Sequence, residues 1–251
     1  MIGGGKNINC SKWKGDIDKA IADVCVKIIQ EPYNYFSEAD IQQLLAEKLR
    51  KITHDKEEII EKLYPTNIKR GKGAKGEYKT SLLHREYGGG DKTRIDIVVF
   101  DPADVRKIND VNLRETKTTY LKPAYAFELG TEKTTNIFKH VQNDLKKLRR
   151  RTKETGYLIH FYKDSTLTRT GTETRKKTEE KISKRFKRVF ENMSKDRKVK
   201  VLAILLRTYR NQKNFRGKCE IFNGEKWGKV NVKNDNQLRE AVLKQLRNKK
   251  E

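Results

Sequence analysis

Four short and nearly continuous apolar runs constrain the fold of this 251-residue chain more than any other feature. They read IDIVVF, AYAFEL, GYLIHF and KVLAILL, and each has the length of a single strand. A disordered chain would lack such runs, so the sequence predicts a folded protein. Segments with helical periodicity lie between and around them, which indicates an α/β fold.

The charge of the chain indicates its class of partner. Lys and Arg total 58 against 34 Asp and Glu, and the net charge of +24 is spread from end to end. A Lys/Glu-rich composition that served solubility would raise both signs together, whereas this excess attracts polyanions. Nucleic acid is therefore the expected partner, and an anionic membrane surface is the alternative.

Several classes of protein are disfavoured by what the sequence lacks. No apolar run approaches 18 residues and the first residues have no hydrophobic signal core, so we expect a cytoplasmic protein without a membrane partner. There is no P-loop, GxGxxG or GxSxG motif. The three cysteines have no CxxC pairing and the four histidines no HxxH or HxxxH pairing, which predicts reduced thiols and no zinc site. These residues are Cys10, Cys25, Cys219, His54, His84, His140 and His160.

Hydrophobic periodicity and turn signals predict the order of elements along the chain. Helices are predicted over about 13–30, 37–50, 55–64, 134–149, 173–193 and 236–248. Strands are predicted over 76–87, 93–101, 124–130, 156–162, 198–207 and 217–222. The basic, glycine-rich stretch NIKRGKGAKG is predicted to be a loop, and the polar stretch 102–122 an insertion.

Two of the predicted strands carry a carboxylate among apolar neighbours. Alternation along a strand puts Asp96 on the face opposite to Ile95 and Ile97, and it puts Glu128 on the face of two small alanines. A buried carboxylate is costly unless it is paired or binds a metal. Two acids on neighbouring strands can hold Mg²⁺, which prefers oxygen ligands; an ion pair with a basic residue is the structural alternative.

A third acid lies at the start of the second predicted helix. At about 100° per residue, Glu38 falls within about 60° of the apolar stripe, whereas Glu47 falls about 180° from Glu38 and is predicted to face solvent. Glu38 is therefore a candidate third metal ligand. A first-turn acid that complements the helix dipole is the alternative interpretation.

The chain resembles the PD-(D/E)XK nuclease superfamily over about residues 37–162. The resemblance lies in the segments SEADIQQLL, HREY, RIDIVVFD and AYAFELG. The resemblance implies a restriction-endonuclease-like αβββαβ core with a mixed central sheet flanked by helices. It also implies Mg²⁺-dependent hydrolysis of phosphodiester bonds, with Mn²⁺ as a substitute, with Asp96 and Glu128 as ligands, and with a lysine beside the metal. We expect DNA as substrate before RNA, and a homodimer is one option for the oligomeric state.

The lysine is where this sequence departs from the family pattern. The position two residues after Glu128 is Gly130, which has no side chain to place near a phosphate. An alternative register, Glu115 and Lys117, lies in a stretch too polar for a central strand. Lys133, at the start of the next helix, is the candidate replacement.

The expected organisation is a helical extension at 1–36, a nuclease-like core at 37–165 and a basic extension at 166–251 packed on it as one domain. The sequence thus predicts a divergent metal-dependent deoxyribonuclease of restriction or repair type. A noncatalytic nuclease-fold protein that binds DNA or RNA as a structural component is the alternative, because Gly130 lacks the lysine. An unrelated RNA-associated basic domain is a third option, in which the two strand acids would lie far apart.

Overall fold

A computed structural model describes residues 10–31, 34–35, 37–53, 57–61, 64–67, 72–74, 77–88, 94–106, 121–131, 137–164, 184, 199–207, 218–222, 227–231 and 234–247. The helices are α1 (Lys14–Gln30), α2 (Glu38–Ile52), α3 (Pro102–Arg106), α4 (Ile137–Arg151) and α5 (Asp235–Arg247), with a 3-10 turn, Cys10–Trp13, before α1. The strands are β1 (Glu57–Glu61), β2 (Tyr64–Asn67), β3 (Lys72–Ala74), β4 (Glu77–Ser81), β5 (Leu83–Gly88), β6 (Arg94–Val99), β7 (Tyr125–Gly130), β8 (Thr155–Asp164), β9 (Val199–Arg207), β10 (Lys218–Phe222) and β11 (Trp227–Asn231).

Seven of these strands form one mixed sheet in the order β11-β10-β9-β8-β7-β6-β5. Strands β5, β6 and β7 pair antiparallel, β7, β8 and β9 pair parallel, and β9, β10 and β11 pair antiparallel. The predicted α/β class is confirmed. Elements α2, β5, β6, β7, α4 and β8 follow one another along the chain, with β1 to β4 between α2 and β5 and with α3 between β6 and β7.

Helices cover both faces of the sheet. On one face, Tyr157 of β8 donates a hydrogen bond from its hydroxyl to Asp18 of α1 over 2.8 Å, and α1 packs against α2 and α5. On the other face, Leu148 of α4 packs on Gly156 of β8. Every residue of β7 is buried between these layers, which confirms AYAFELG as a central strand. The competing stretch with Glu115 and Lys117 lies outside the described residues.

The start of α2 follows its sequence signal closely. Ser37 accepts a hydrogen bond from the Asp40 amide, and the Asp40 carboxylate accepts one from the Ser37 amide, which forms a capping box. This cap fixes the first turn of the helix, in which Glu38 is the first residue. In the described part of the chain, no helix has the length and apolar character needed to span a membrane.

Several predicted elements need correction. The predicted third helix over 55–64 is wrong, because β1 occupies Glu57–Glu61 and pairs antiparallel with β4. The β-branched pair Ile59 and Ile60 suits a strand, and a helix this short gains little without packing. The predicted loop NIKRGKGAKG contains β3, which pairs with β2. Strand β11 was not predicted, and the predicted helix over 173–193 lies outside the described residues apart from Lys184.

Candidate active site

The two strand carboxylates lie side by side on the sheet. The β6–β7 register pairs Ile97 with Phe127, and one further step along each strand places Asp96 opposite Glu128. Residues directly opposite each other share a face, with their Cβ atoms about 4.5–5.5 Å apart. Both are buried: Asp96 is 9% exposed and Glu128 1%. The two acids therefore lie close together on one face of the sheet.

Burial perturbs both carboxyl groups strongly. It raises the pKa of Asp96 to about 7; the Leu129 amide, which donates to Asp96 Oδ2 over 2.7 Å, opposes the rise, and the nearby charge of Glu38 adds to it. Burial, followed by the charges of Asp96 and Asp144, holds the pKa of Glu128 well above its usual range. The pocket thus contains more carboxylate than its positive charge balances, and a cation would stabilise the ionised forms.

A lysine from α4 enters this pocket. The Lys147 ammonium lies 2.7 Å from Glu128 Oε1 and 2.9 Å from Asp144 Oδ1, and it donates to the carbonyl oxygen of Arg94 over 3.0 Å. These three acceptors match the three N–H donors of an ammonium group. Burial alone would lower the pKa of Lys147, but Glu128 and Asp144 outweigh it and raise the pKa above its ordinary value.

Gly130 has a steric role at the position where the family pattern carries lysine. The parallel β7–β8 register pairs it with His160. A Cβ at residue 130 would lie 2.5 Å from both Cε1 and Nδ1 of the His160 ring, which is far closer than real Cβ contacts. The imidazole therefore occupies the space into which a side chain at residue 130 would extend. The ammonium of Lys147 comes from a helix instead.

A buried glutamine ties α2 to the strand that carries Asp96. The Gln42 amide nitrogen donates to the backbone oxygen of Asp96 over 2.7 Å and to Glu86 Oε1 over 2.9 Å, while its oxygen accepts from Arg85 Nη2 over 2.7 Å. Glu86 has a φ of 51°, a left-handed conformation that is uncommon outside glycine. Glu86 lies next to Asp96 on the neighbouring strand. Backbone strain of this kind is frequent at functional sites.

The structure brings only some of the sequence-predicted site residues close together. Asp96 and Glu128 are adjacent, and Glu38 is close enough for its charge to affect the pKa of Asp96. Glu47 is exposed, as its helical position predicted. Lys133 lies outside the described residues, so its proposed role stays a prediction.

Sequence reasoning missed Asp144 and Lys147, although one signal was present. On a helical wheel Asp144 lies about 60° from Val141 and about 40° from Leu148, inside the apolar stripe of α4. An acid in such a stripe must be paired, and Lys147 follows it at the i+3 position. The wheel could not show that this pair faces Glu128, because that depends on how α4 packs on β7.

The donor atoms of the pocket suit a hard cation. Asp96 uses Oδ2 for the Leu129 contact and Glu128 uses Oε1 for Lys147, and each carboxylate has a second oxygen able to act as a ligand. Among the side chains that the structure describes, no group of three or more His, Cys, Asp or Glu is arranged to hold a metal. Mg²⁺ is commonly bound through one or two carboxylates, with waters and substrate phosphate oxygens completing its shell. The pair thus offers two carboxylate ligands to a hard cation.

Comparisons of the chain with protein-family models, with curated proteins and with solved structures find no match.

Proposed function

We propose that this protein is a divalent-metal-dependent nuclease with a restriction-endonuclease-like core, and that its substrate is DNA. The observation that carries the proposal is the cross-strand pair Asp96 and Glu128, buried on one face of the sheet and contacted by the Lys147 ammonium. The element order α2-β5-β6-β7-α4-β8 and the mixed sheet support the fold assignment.

Asp96 and Glu128 would hold Mg²⁺ or Mn²⁺, with Glu38 as a third ligand on the helix side. When bound, the metal would polarise the phosphoryl group and lower the pKa of a ligated water. The Leu129 amide fixes one oxygen of Asp96, and Gln42 fixes the backbone at the same residue. These contacts restrict the rotation of the Asp96 carboxylate, so its geometry is set before substrate arrives.

Lys147 takes the role that the sequence assigned to Lys133. Its ammonium contacts a proposed metal ligand, Glu128, and donates a hydrogen bond to the backbone oxygen of Arg94 at the start of β6. A lysine there can position the attacking water and stabilise the negative charge that develops on the phosphoryl group. Loss of such a group typically lowers the rate by about 10²–10³-fold.

The charge of the whole chain supports a polyanionic substrate. A net charge of +24 attracts nucleic acid strongly, and the last turn of α4 carries three consecutive arginines, Arg149–Arg151. This turn begins directly after Lys147, so phosphate groups that contact it would lie near the pocket.

Cleavage assays with single variants test the proposal. Purified protein should cut or nick DNA with Mg²⁺ or Mn²⁺, and Asp96→Asn should abolish cutting while DNA binding persists. Lys147→Met should lower kcat by about 10²–10³-fold. Glu47→Gln and Lys146→Met, which change exposed charges on α2 and α4, should leave kcat unchanged. Metal-independent cleavage that survives Asp96→Asn would refute the site.

One observation favours a noncatalytic protein of the same fold as the second candidate. The Lys147 ammonium already has three acceptors, so the buried cluster can be a structural ion pair that needs no metal. In that case DNA binding is steeply salt-dependent without turnover, and Mn²⁺ titrated into the protein gives no binding that Asp96→Asn removes. Cleavage lost in Glu128→Gln would exclude this candidate.

A further inference from the structure

Asp144 lies at the centre of a polar cluster behind the proposed metal pocket. It is 1% exposed, and its two oxygens have different partners. Oδ1 contacts the Lys147 ammonium at 2.9 Å, whereas Oδ2 lies 3.4 Å from His140 Nε2 and 3.8 Å from His160 Nε2, the latter an electrostatic contact longer than a hydrogen bond. The carboxylate therefore joins the lysine on one side to two histidines on the other.

The contacts keep this buried carboxylate ionised. Burial would raise the pKa of Asp144, but His160, Lys147 and His140 outweigh burial and hold the pKa below its usual value. An ionised acid with one oxygen on the ammonium restrains a side chain that otherwise has four rotatable bonds. A lysine carried by a helix needs such a restraint more than one carried by a central strand, because it must span the gap between helix and sheet.

The third part of the cluster is the contact between His160 and Gly130. The imidazole is 1% exposed and packs directly against the glycine, where any Cβ would lie 2.5 Å from two ring atoms. It also lies 5.9 Å from the His140 ring, centroid to centroid, in an edge-on arrangement. The absence of a side chain at Gly130 thus has two consequences. The strand has no lysine at this position, and there is room for the His160 ring, which faces Asp144.

We propose that Asp144 and His160 are positioning residues that hold the Lys147 ammonium beside Glu128, and that Gly130 is required because it accommodates His160. The inference rests on the proposed nuclease function for its kinetic consequence, while the placement of Lys147 can be measured without cleavage. In the family pattern, a lysine at residue 130 of β7 would supply the ammonium group. Here the cluster formed by residues of α4 and β8 supplies it.

A matched pair of His160 variants tests the contact kinetically. Glutamine can place an amide nitrogen near the position of Nε2, whereas leucine has a similar volume without a donor. His160→Leu should lower kcat by about 10–100-fold, the range seen when supporting contacts of a site are removed, with KM for DNA unchanged. His160→Gln should retain most of kcat. Equal activity in the two variants, or an effect on KM alone, would overturn the positioning role.

A spectroscopic measurement separates this inference from the nuclease proposal. The ¹H–¹⁵N signal of the Lys147 ammonium, identified by its absence in Lys147→Met, should be visible in metal-free protein because three acceptors protect its protons from exchange. Asp144→Asn and His160→Leu should shift or broaden it, and His160→Gln should not. Unchanged signals in both damaging variants would refute the positioning role even if the protein cleaves DNA. Changed signals in a protein that never cleaves DNA would support the positioning and remove the nuclease proposal.

Discussion

Substitution of Gly130 by alanine is the most direct test of the packing at the site. The new Cβ would lie 2.5 Å from Cε1 and Nδ1 of His160 and 3.1 Å from its Cγ. The ring belongs to a fully buried side chain on the neighbouring strand, so it cannot swing into solvent as the tip of a flexible side chain could. Overpacking of this kind costs about 1–3 kcal/mol of the free energy of unfolding.

The cost should depend on His160. In the double variant Gly130→Ala/His160→Ala, the added methyl group enters space that the imidazole has vacated. The double variant should therefore be more stable than the sum of the single effects predicts, by about 1–3 kcal/mol. Urea unfolding of the four proteins measures this coupling. In thermal melts of a chain of this size, a change of roughly 2–4 °C in Tm corresponds to about 1 kcal/mol in the free energy of unfolding.

A second glycine provides the matched control. Gly88 ends β5, and a Cβ there would meet no atom of the described residues within 4 Å, so Gly88→Ala should not destabilise the protein. If Gly130→Ala is as harmless as Gly88→Ala, or if its effect adds to that of His160→Ala within about 0.5 kcal/mol, the steric argument fails.

Three further predictions concern stability. In metal-free protein the raised pKa of Asp96 means that the folded state binds more protons than the unfolded state between about pH 4 and pH 7. As the pH rises through this window, Asp96 should lower the free energy of unfolding by up to about 1.4 kcal/mol per pH unit, and the raised pKa of Glu128 adds to the fall. Asp96→Asn or added Mg²⁺ should flatten this slope in urea titrations. Gln42→Leu should cost about 1–3 kcal/mol, because the backbone oxygen of Asp96 loses its donor, whereas the same change at exposed Gln43 should cost little in the same assay. Tyr157→Phe should cost about 1–3 kcal/mol in thermal melts, since the carboxylate of buried Asp18 loses a 2.8 Å hydrogen bond.

Local rules were enough to predict β6 and β7 and the face of each strand on which its acid lies. The two-residue period places Asp96 and Glu128 on defined faces, and the cap at Ser37 fixes where α2 begins. The same rules predicted a helix around Ile59, because short segments with mixed charge and apolar residues suit either element. Pairing with β4 decides in favour of the strand, and pairing between distant segments is invisible to periodicity.

Lysine replacement shows where sequence reasoning reaches its limit. Under the proposed function another lysine replaces the one absent at residue 130, and proximity along the chain favoured Lys133, which lies outside the described residues. Lys147 reaches Glu128 from the third turn of α4, because the connection between the parallel strands β7 and β8 places that helix on the face that holds the acids. The return of the chain thus brings a residue that is remote in sequence next to the buried acids. In a sheet of this kind, the search for a displaced lysine should begin with buried acids on the crossover helix, since an acid such as Asp144 needs a cation at i+3 or i+4 and marks where that cation lies.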